Sequence, residues 1–283
     1  MSANENAGNL ARRRFLKLSG AAGAAAVLVG SAAAAGTNLP AAAAQTDPCG
    51  AYGDTGIKLW DHAKACGEAQ RDPTHHPMPS YCKGTNAYDV VLDGADPPGT
   101  HNFLLVPTSR LKGIECSKIR FGRNFWQDAW DQAQPGGVAP VTYSGGQIGL
   151  GVNAAQDTAG KPVRDQDQLH IHMAGISTKV LDQLNKAGIK NDVNGWAASR
   201  VKLEFNGDTR YYRALQVTNL NQNLFALMFD NVARPTREDI AIQMMIVTQS
   251  PHGFYVLTSN SGLTGAEHGI GGTSSCDRLL VYT

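Results

Sequence analysis

An α+β fold, with helices packed on an antiparallel sheet, is the class this sequence predicts, on three observations. Strand-like runs outnumber helical ones, many neighbouring runs are joined by turn sequences suited to hairpins, and no internal repeat is visible. With 283 residues, 42% of them hydrophobic, the chain can bury a sizeable core.

Asp54 to Gln70 opens on a capping residue and sets Ile57, Trp60 and Ala63–Lys64 at helical spacing, which predicts a short amphipathic helix. Residues 71–81 hold three prolines and two adjacent histidines and read as a loop. Ala87–Asp93 and Asn102–Val106 read as two antiparallel strands across the turn Asp93-Gly-Ala-Asp-Pro-Pro-Gly99. Phe125–Ala133 repeats Trp126, Ala129, Trp130 and Ala133 at three and four residues, the stripe of a helix facing a core. A Gly/Pro loop follows, and Gln147–Val152 is strand-like. Gln168–Ala174 alternates polar and apolar residues, and Thr178–Lys186 reads as a helix. Val201–Phe205 and Tyr211–Val217 form a predicted hairpin across Asn206-Gly207-Asp208. Leu224–Phe229 is expected to be helical, and Ile240–Thr248 with Phe254–Thr258 to form a last hairpin around Pro251-His-Gly253. The Gly/Ser/Thr-rich stretch 259–275 is expected to be a mobile tail segment.

Lys and Arg total 25 against 24 Asp and Glu, a net charge of +1 that argues against electrostatic binding of nucleic acid. Residues 1–44 carry Arg12, Arg13, Arg14 and Lys17 against Glu5, so 21 basic and 23 acidic side chains remain beyond them. That remainder, at −2, offers no general attraction to an anionic bilayer. No purely apolar run of 18 residues occurs after position 45, which excludes a polytopic membrane protein.

Residues 1–44 read as an address. Ala11-Arg-Arg-Arg-Phe-Leu-Lys17 precedes an Ala/Gly/Val/Leu run from Leu18 to Ala35, and Ala42-x-Ala44 is a small-residue cleavage site. The consecutive arginines followed by Phe15-Leu16-Lys17 resemble the bacterial twin-arginine export motif. The expected domains are therefore a signal peptide at 1–44 and one folded domain at 45–283, placed in the periplasm, outside the cell or on the outer face of the membrane. A retained anchor is the alternative, and the Ala/Gly-rich middle is only weakly apolar for that role. In an oxidising compartment Cys49, Cys66, Cys82, Cys116 and Cys276 default to disulfides. Five is odd, so at least one thiol is free or pairs between chains, and none sits in a C-x-x-C pair.

The chemistry concentrates at Gln168-Leu-His-Ile-His-Met173. On a strand Leu169, Ile171 and Met173 share one face, while Gln168, His170 and His172 line the other. Three readings of the pair stand together: two half-buried structural histidines, a His-x-His metal arm, or a histidine nucleophile attacking phosphorus. A metal arm needs a third ligand, for which His75, His76, His101, His252 or His268 could serve. Asn153 at the end of the preceding strand, and Arg164 and Gln166 on the approach, complete the candidate constellation.

Arg164-Asp-Gln-Asp-Gln-Leu-His-Ile-His172 resembles the signature of the CDP-diacylglycerol pyrophosphatase family, a branch of the histidine-triad (HIT) superfamily. Phe103-Leu-Leu-Val-Pro-Thr-Ser-Arg110, Gly113-Ile-Glu115, Gly122-Arg-Asn-Phe-Trp-Gln-Asp-Ala-Trp130, Val152-Asn153 and Gly195-Trp196 are similar to that family in the same order, as are the positions of Cys66, Cys82 and Cys276. The resemblance implies a HIT-like fold and metal-free, cofactor-free hydrolysis of CDP-diacylglycerol to CMP and phosphatidate. It implies His170 as nucleophile, with His172 and Gln168 orienting the imidazole and binding phosphate oxygens and Gln166 donating to the phosphoryl group. Asn153 resembles the superfamily's substrate-contacting asparagine, and Arg164 and Arg110 are candidates for the leaving phosphate. Gln168 departs from the strict triad, and Gly175 stands where relatives often have a cysteine. Two other functions fit the same residues: hydrolysis of, or nucleotidyl transfer from, another CDP-linked or nucleoside-diphosphate substrate, and a non-catalytic extracellular binding module. Oligomeric state has no sequence signal.

Overall fold

The computed structural model of the chain describes residues 49–51, 54, 56–94, 102–143 and 145–282. The expected signal peptide and most of the turn at 93–99 lie outside the described residues. Strands β1 (Cys82–Thr85), β2 (Asp89–Asp93), β3 (Asn102–Pro107), β4 (Gly146–Val152), β5 (Ile171–Ser177), β6 (Val201–Phe205), β7 (Asp208–Val217), β8 (Met244–Ser250) and β9 (Gly253–Ser259) form one sheet. Their order is β1-β2-β3-β5-β4-β8-β9-β7-β6, and the short β10 (Leu280–Val281) pairs with Gly175 and Ile176 of β5. The strand pairings are antiparallel throughout. Among the described residues, four main helices pack on this sheet: α1 (Lys58–Arg71), α2 (Phe125–Ala133), α3 (Thr178–Lys186) and α4 (Leu224–Met228). The α+β class is as expected.

Alternation of side chains gives the sheet two different faces. On one, Leu105, Leu150, Ile171, Met173 and Val247 are buried beneath α2 and α4. Trp126 of α2 is fully buried and meets Phe225 of α4 at a ring-centroid distance of 5.2 Å. On the other face, the register aligns Leu104, His172, Gly151, Ile246 and Leu257 in a row across five strands. There α1 brings Ala63 and Cys66 onto Leu104. Farther along, Val180, Leu181 and Leu184 of α3 join Leu280 over Ala174 and Ile176. His172 lies at the junction of these two clusters. Full burial of each large aliphatic or aromatic side chain contributes about 1.5–3 kcal/mol, so the packing that frames His172 is a substantial share of the fold's stability.

Two glycines let the 276–280 segment lie flat on this face. A Cβ on Gly151 would approach Cys276 Cβ and Leu280 Cδ1 to 2.8 Å, and one on Gly149 would approach Leu280 Cδ2 to 2.8 Å. Glycine inside a strand marks a close approach of another segment, and here that segment is the one that reaches His172.

Several boundaries differ from the sequence expectation. The first helix starts at Lys58, without a side-chain cap; Asp54 instead accepts the Ala51 N–H at 2.9 Å and Arg110 Nη2 at 2.7 Å. Ile240–Ile242 is a 3₁₀ turn capped by Asp239 rather than the start of a strand. The hairpin turn between β6 and β7 has Asn206 at φ 52° and Gly207 at φ 75°, the conformation that an Asn-Gly pair favours. Residues 259–275 are anchored at both ends, with the middle at 266–269 exposed: Ser259, Leu263, Thr273 and Ser274 are buried, and Gly272 N–H donates to Leu263 O at 2.7 Å. Cys49 pairs with Cys116 and Cys66 with Cys82, leaving Cys276 as a buried thiol. Tyr143 fills the space that a side chain at Gly175 would need.

Candidate active site

Gln168 explains how the histidine segment is held. The strand begins only at Ile171, because residues 164–170 are laced to the loop at 107–115 instead of to a neighbouring strand. Gln168 Nε2 donates to Pro107 O at 3.1 Å and Ser109 O at 3.0 Å, while Oε1 accepts from Leu111 N at 3.3 Å and Arg110 Nη1 at 3.1 Å. Both donors and both lone pairs of the amide are thereby engaged. The side chain has no capacity left for a phosphate oxygen, a correction to its place in the candidate constellation. Leu169 N–H adds a bond to Leu111 O at 2.6 Å.

Both arginines belong to this lacing. Arg110 donates to the Asp167 carbonyl and to Asp54, and its side chain is 5% exposed. Arg164, 4% exposed, grips Glu115 through Nη1 at 2.8 Å and reaches Asp167 Oδ1 at 3.0 Å. Solvated surface charges are therefore not what these residues are. Removing one partner of such a buried pair typically costs about 3–5 kcal/mol, which identifies them as the frame of the loop. Gln166 is half-buried and accepts the Leu59 N–H at 3.3 Å in the first turn of α1.

His170 is buried, and its Nδ1 lies 2.7 Å from the Gln168 carbonyl oxygen. A carbonyl can only accept, so Nδ1 carries the proton and Nε2 keeps a lone pair. Burial, followed by the neighbouring His172, pushes the His170 pKa down to about 3. The imidazole is neutral across the neutral pH range.

His172 is 5.0 Å from His170 between ring centroids, edge to face. Its Nδ1 stands 3.2 Å from the Tyr282 hydroxyl, and among the described residues its buried Nε2 has no hydrogen-bond partner. Tyr282 in turn donates to Asp277 Oδ1. Asn153 ties the same network, donating to Asp277 Oδ2 at 3.2 Å and accepting the Cys276 N–H at 2.8 Å. Burial lowers the His172 pKa, and Asp277 partly offsets this. Asp277 and Tyr282 carried no signal in the sequence reading. Leu279-Leu280-Val281 is a strand-like run, but nothing local tells it which strand to join.

The structure thus unites His170, His172 and Asn153 and sets Gln168, Arg110 and Arg164 behind them. Among the described residues, His172, Cys276 and Asp277 bring donor atoms within 4.8 Å of one another, the spacing of a metal group. His170 is outside that group, and His101, one of the candidate third ligands, lies outside the described residues. The Asp277 oxygens already accept from Tyr282, Asn153 and Ser275, and burial holds the Cys276 thiol protonated, well above its usual range. These donors fit a hydrogen-bonded network better than a metal centre.

A pH prediction follows from His170. Unfolded, it takes up a proton below its ordinary value of 6.5, whereas folded it resists protonation until about 3. The unfolded state therefore binds more protons in that window, and stability falls as pH falls through it. Urea melts at pH 7, 6 and 5 should show this decline, with a shallower slope in His170→Gln. Equal slopes in the two proteins would refute the buried neutral state.

No curated protein matches the chain. Its sequence does match, over residues 55–274, the family described as CDP-diacylglycerol pyrophosphatase, a range that contains β1 to β9, both histidines and Asn153. Spanning most of the folded part and the whole of the histidine segment, that match makes the chain a member of the CDP-diacylglycerol pyrophosphatase family of hydrolases.

Proposed function

We propose that the chain is exported and cleaves CDP-diacylglycerol through a nucleotidyl-histidine on His170. One observation carries this reading: the bond from His170 Nδ1–H to the Gln168 carbonyl, in a buried site, leaves a neutral imidazole with its lone pair on Nε2. In the first step Nε2 bonds to the cytidylyl phosphorus, the bridging P–O bond breaks, and its electron pair leaves with phosphatidate. In the second, water bonds to phosphorus, the N–P bond breaks, and CMP is released. Asn153 and His172 are the candidates for the phosphate on the His170 side of the sheet, Gln166 is the amide that the family resemblance assigns to the phosphoryl group, and Gln168 orients His170 through its main chain. Arg164 supports the site from behind, adding positive potential that helps keep His170 unprotonated. Arg110 fixes the same loop.

The domain scheme that goes with this is a twin-arginine-type signal at 1–44 and a HIT-like domain at 45–283, working where the lipid's headgroup is exposed. N-terminal sequencing of exported protein should begin at Gln45. The lipid's membrane is the surface the enzyme meets, and among the described residues no helix is long and apolar enough to cross it.

The test is CMP release from CDP-diacylglycerol by the purified protein in chelator, with a quench that traps cytidylyl label on the enzyme. Chelator-resistant CMP release with acid-labile label mapping to His170 is the expected result. A folded protein that releases no CMP would sink the substrate assignment, and CMP without any label would sink the covalent route. Turnover of another CDP-linked substrate in its place would favour the broader nucleotidyl-hydrolase or transferase reading.

A further inference from the structure

Residues 275–282 lie beyond the range that matches the family, yet they close the wall around His172. We propose that Asp277 and Tyr282 are positioning residues that act through His172, making it the base that takes a proton from water in the second step and so sets the rate of CMP release. This deepens the nucleotidyl-histidine reading and rests on it.

The direction of each hydrogen bond supports the assignment. Asp277 is buried, which by itself would raise its pKa, but His172 and bonds from Tyr282, Asn153 and Ser275 hold it below the usual carboxylate range. An ionised carboxylate only accepts, so the Tyr282 hydroxyl must give its single proton to Asp277 Oδ1. The Tyr282 oxygen is then left as an acceptor for His172 Nδ1–H at 3.2 Å. That order leaves the bare lone pair of His172 on Nε2, the atom that is buried beside His170 with no partner among the described residues.

Such an imidazole is prepared for the second step and not for the first. In the first step His170 supplies its own electron pair and no proton need move. In the second, water must lose a proton as its oxygen bonds to phosphorus. Nε2 of His172 accepts that proton while the His170 N–P bond breaks and returns its pair to His170. The positive charge then on His172 faces Asp277 through the Tyr282 hydroxyl, and the proton passes to solvent as CMP leaves. The scaffold commits this arrangement firmly: Asn153 holds both Asp277 and the Cys276 main chain, and Gly151 makes room for the segment.

The experiment is a rapid-quench comparison of phosphatidate and CMP release by wild type and Tyr282→Phe, which removes one oxygen and keeps the ring. In the variant, phosphatidate should appear in a burst equal to the enzyme at the wild-type rate. CMP should then follow about 10- to 100-fold more slowly, within the range that general-base assistance supplies, and label should accumulate on His170. Fluoride, a nucleophile with no proton to lose, should restore turnover in Tyr282→Phe. Products that appear together, whether at the wild-type rate or slowed in parallel without accumulated label, would overturn the proposal. If Tyr282→Phe does not fold, Asp277→Asn carries the same test. Failure of both to fold would also overturn it, by making the two residues structural. Wild type that forms no His170 adduct would reject the parent reading instead, a result distinct from normal wild-type chemistry with no partition in the variants.

Discussion

His170→Ala should lower CMP release by at least about 10³-fold, the order expected when the group that forms the bond to phosphorus is removed. The loss should be in kcat, because the substituted imidazole donates to a main-chain carbonyl and leaves the loop's other anchors in place. No label should be trapped on the variant. The fold should survive, since Gln168, Arg110 and Arg164 fix residues 164–170 without help from His170. Steady-state rates of CMP formation, paired with a thermal melt, decide the matter. A melting temperature close to wild type with activity retained would mean that another group attacks phosphorus. His172→Ala provides the contrast, because it should still form the adduct while failing to discharge it.

The Cys49–Cys116 bridge should matter most for stability. It closes a loop of 67 residues, and confinement of the unfolded chain by a loop of that length stabilises the fold by about 4 kcal/mol. Cys66–Cys82 closes only 16 and contributes about 3 kcal/mol by the same relation. The longer bridge also has a local role. Cys116 lies at the end of the loop that holds Gln168 and Arg164, and Cys49 O accepts the Lys112 N–H at 2.9 Å in the middle of it. A Cys49→Ser/Cys116→Ser double variant should therefore melt on the order of 10 °C lower and lose activity before it unfolds. Urea denaturation of the double variant within 1 kcal/mol of wild type would show that the loop is held without the bridge.

Much of this architecture was legible in the sequence wherever one segment carries its own instructions. Phe125–Ala133 and Thr178–Lys186 announce their helices by apolar spacing, and the structure gives the same bounds. Asn206-Gly207 specifies its hairpin through positive φ at both residues. Local sequence does not suffice where a partner far along the chain decides. Gln168-Leu-His alternates like a strand but is captured by carbonyls of residues 107 and 109, so β5 starts three residues late. Cys82–Thr85 is short and contains a glycine, and it becomes a strand because β2 offers it an edge. The two histidines were visible by their alternation, and Asn153 by its place after a strand. Tyr282 and Asp277 were not, since their significance lies in contacts with His172 and Asn153, 110 and 124 residues earlier.

That contact spans 110 residues, from His172 to Tyr282. A ribosome that has already delivered both histidines, the loop at 107–115 and Asn153 still holds a chain whose catalytic face is open, because the segment that covers it has not been made. Closing so distant a contact is among the slower events of folding. On the proposed role of Tyr282, the nascent protein carries its second imidazole unsupported until residues 277–282 have been made.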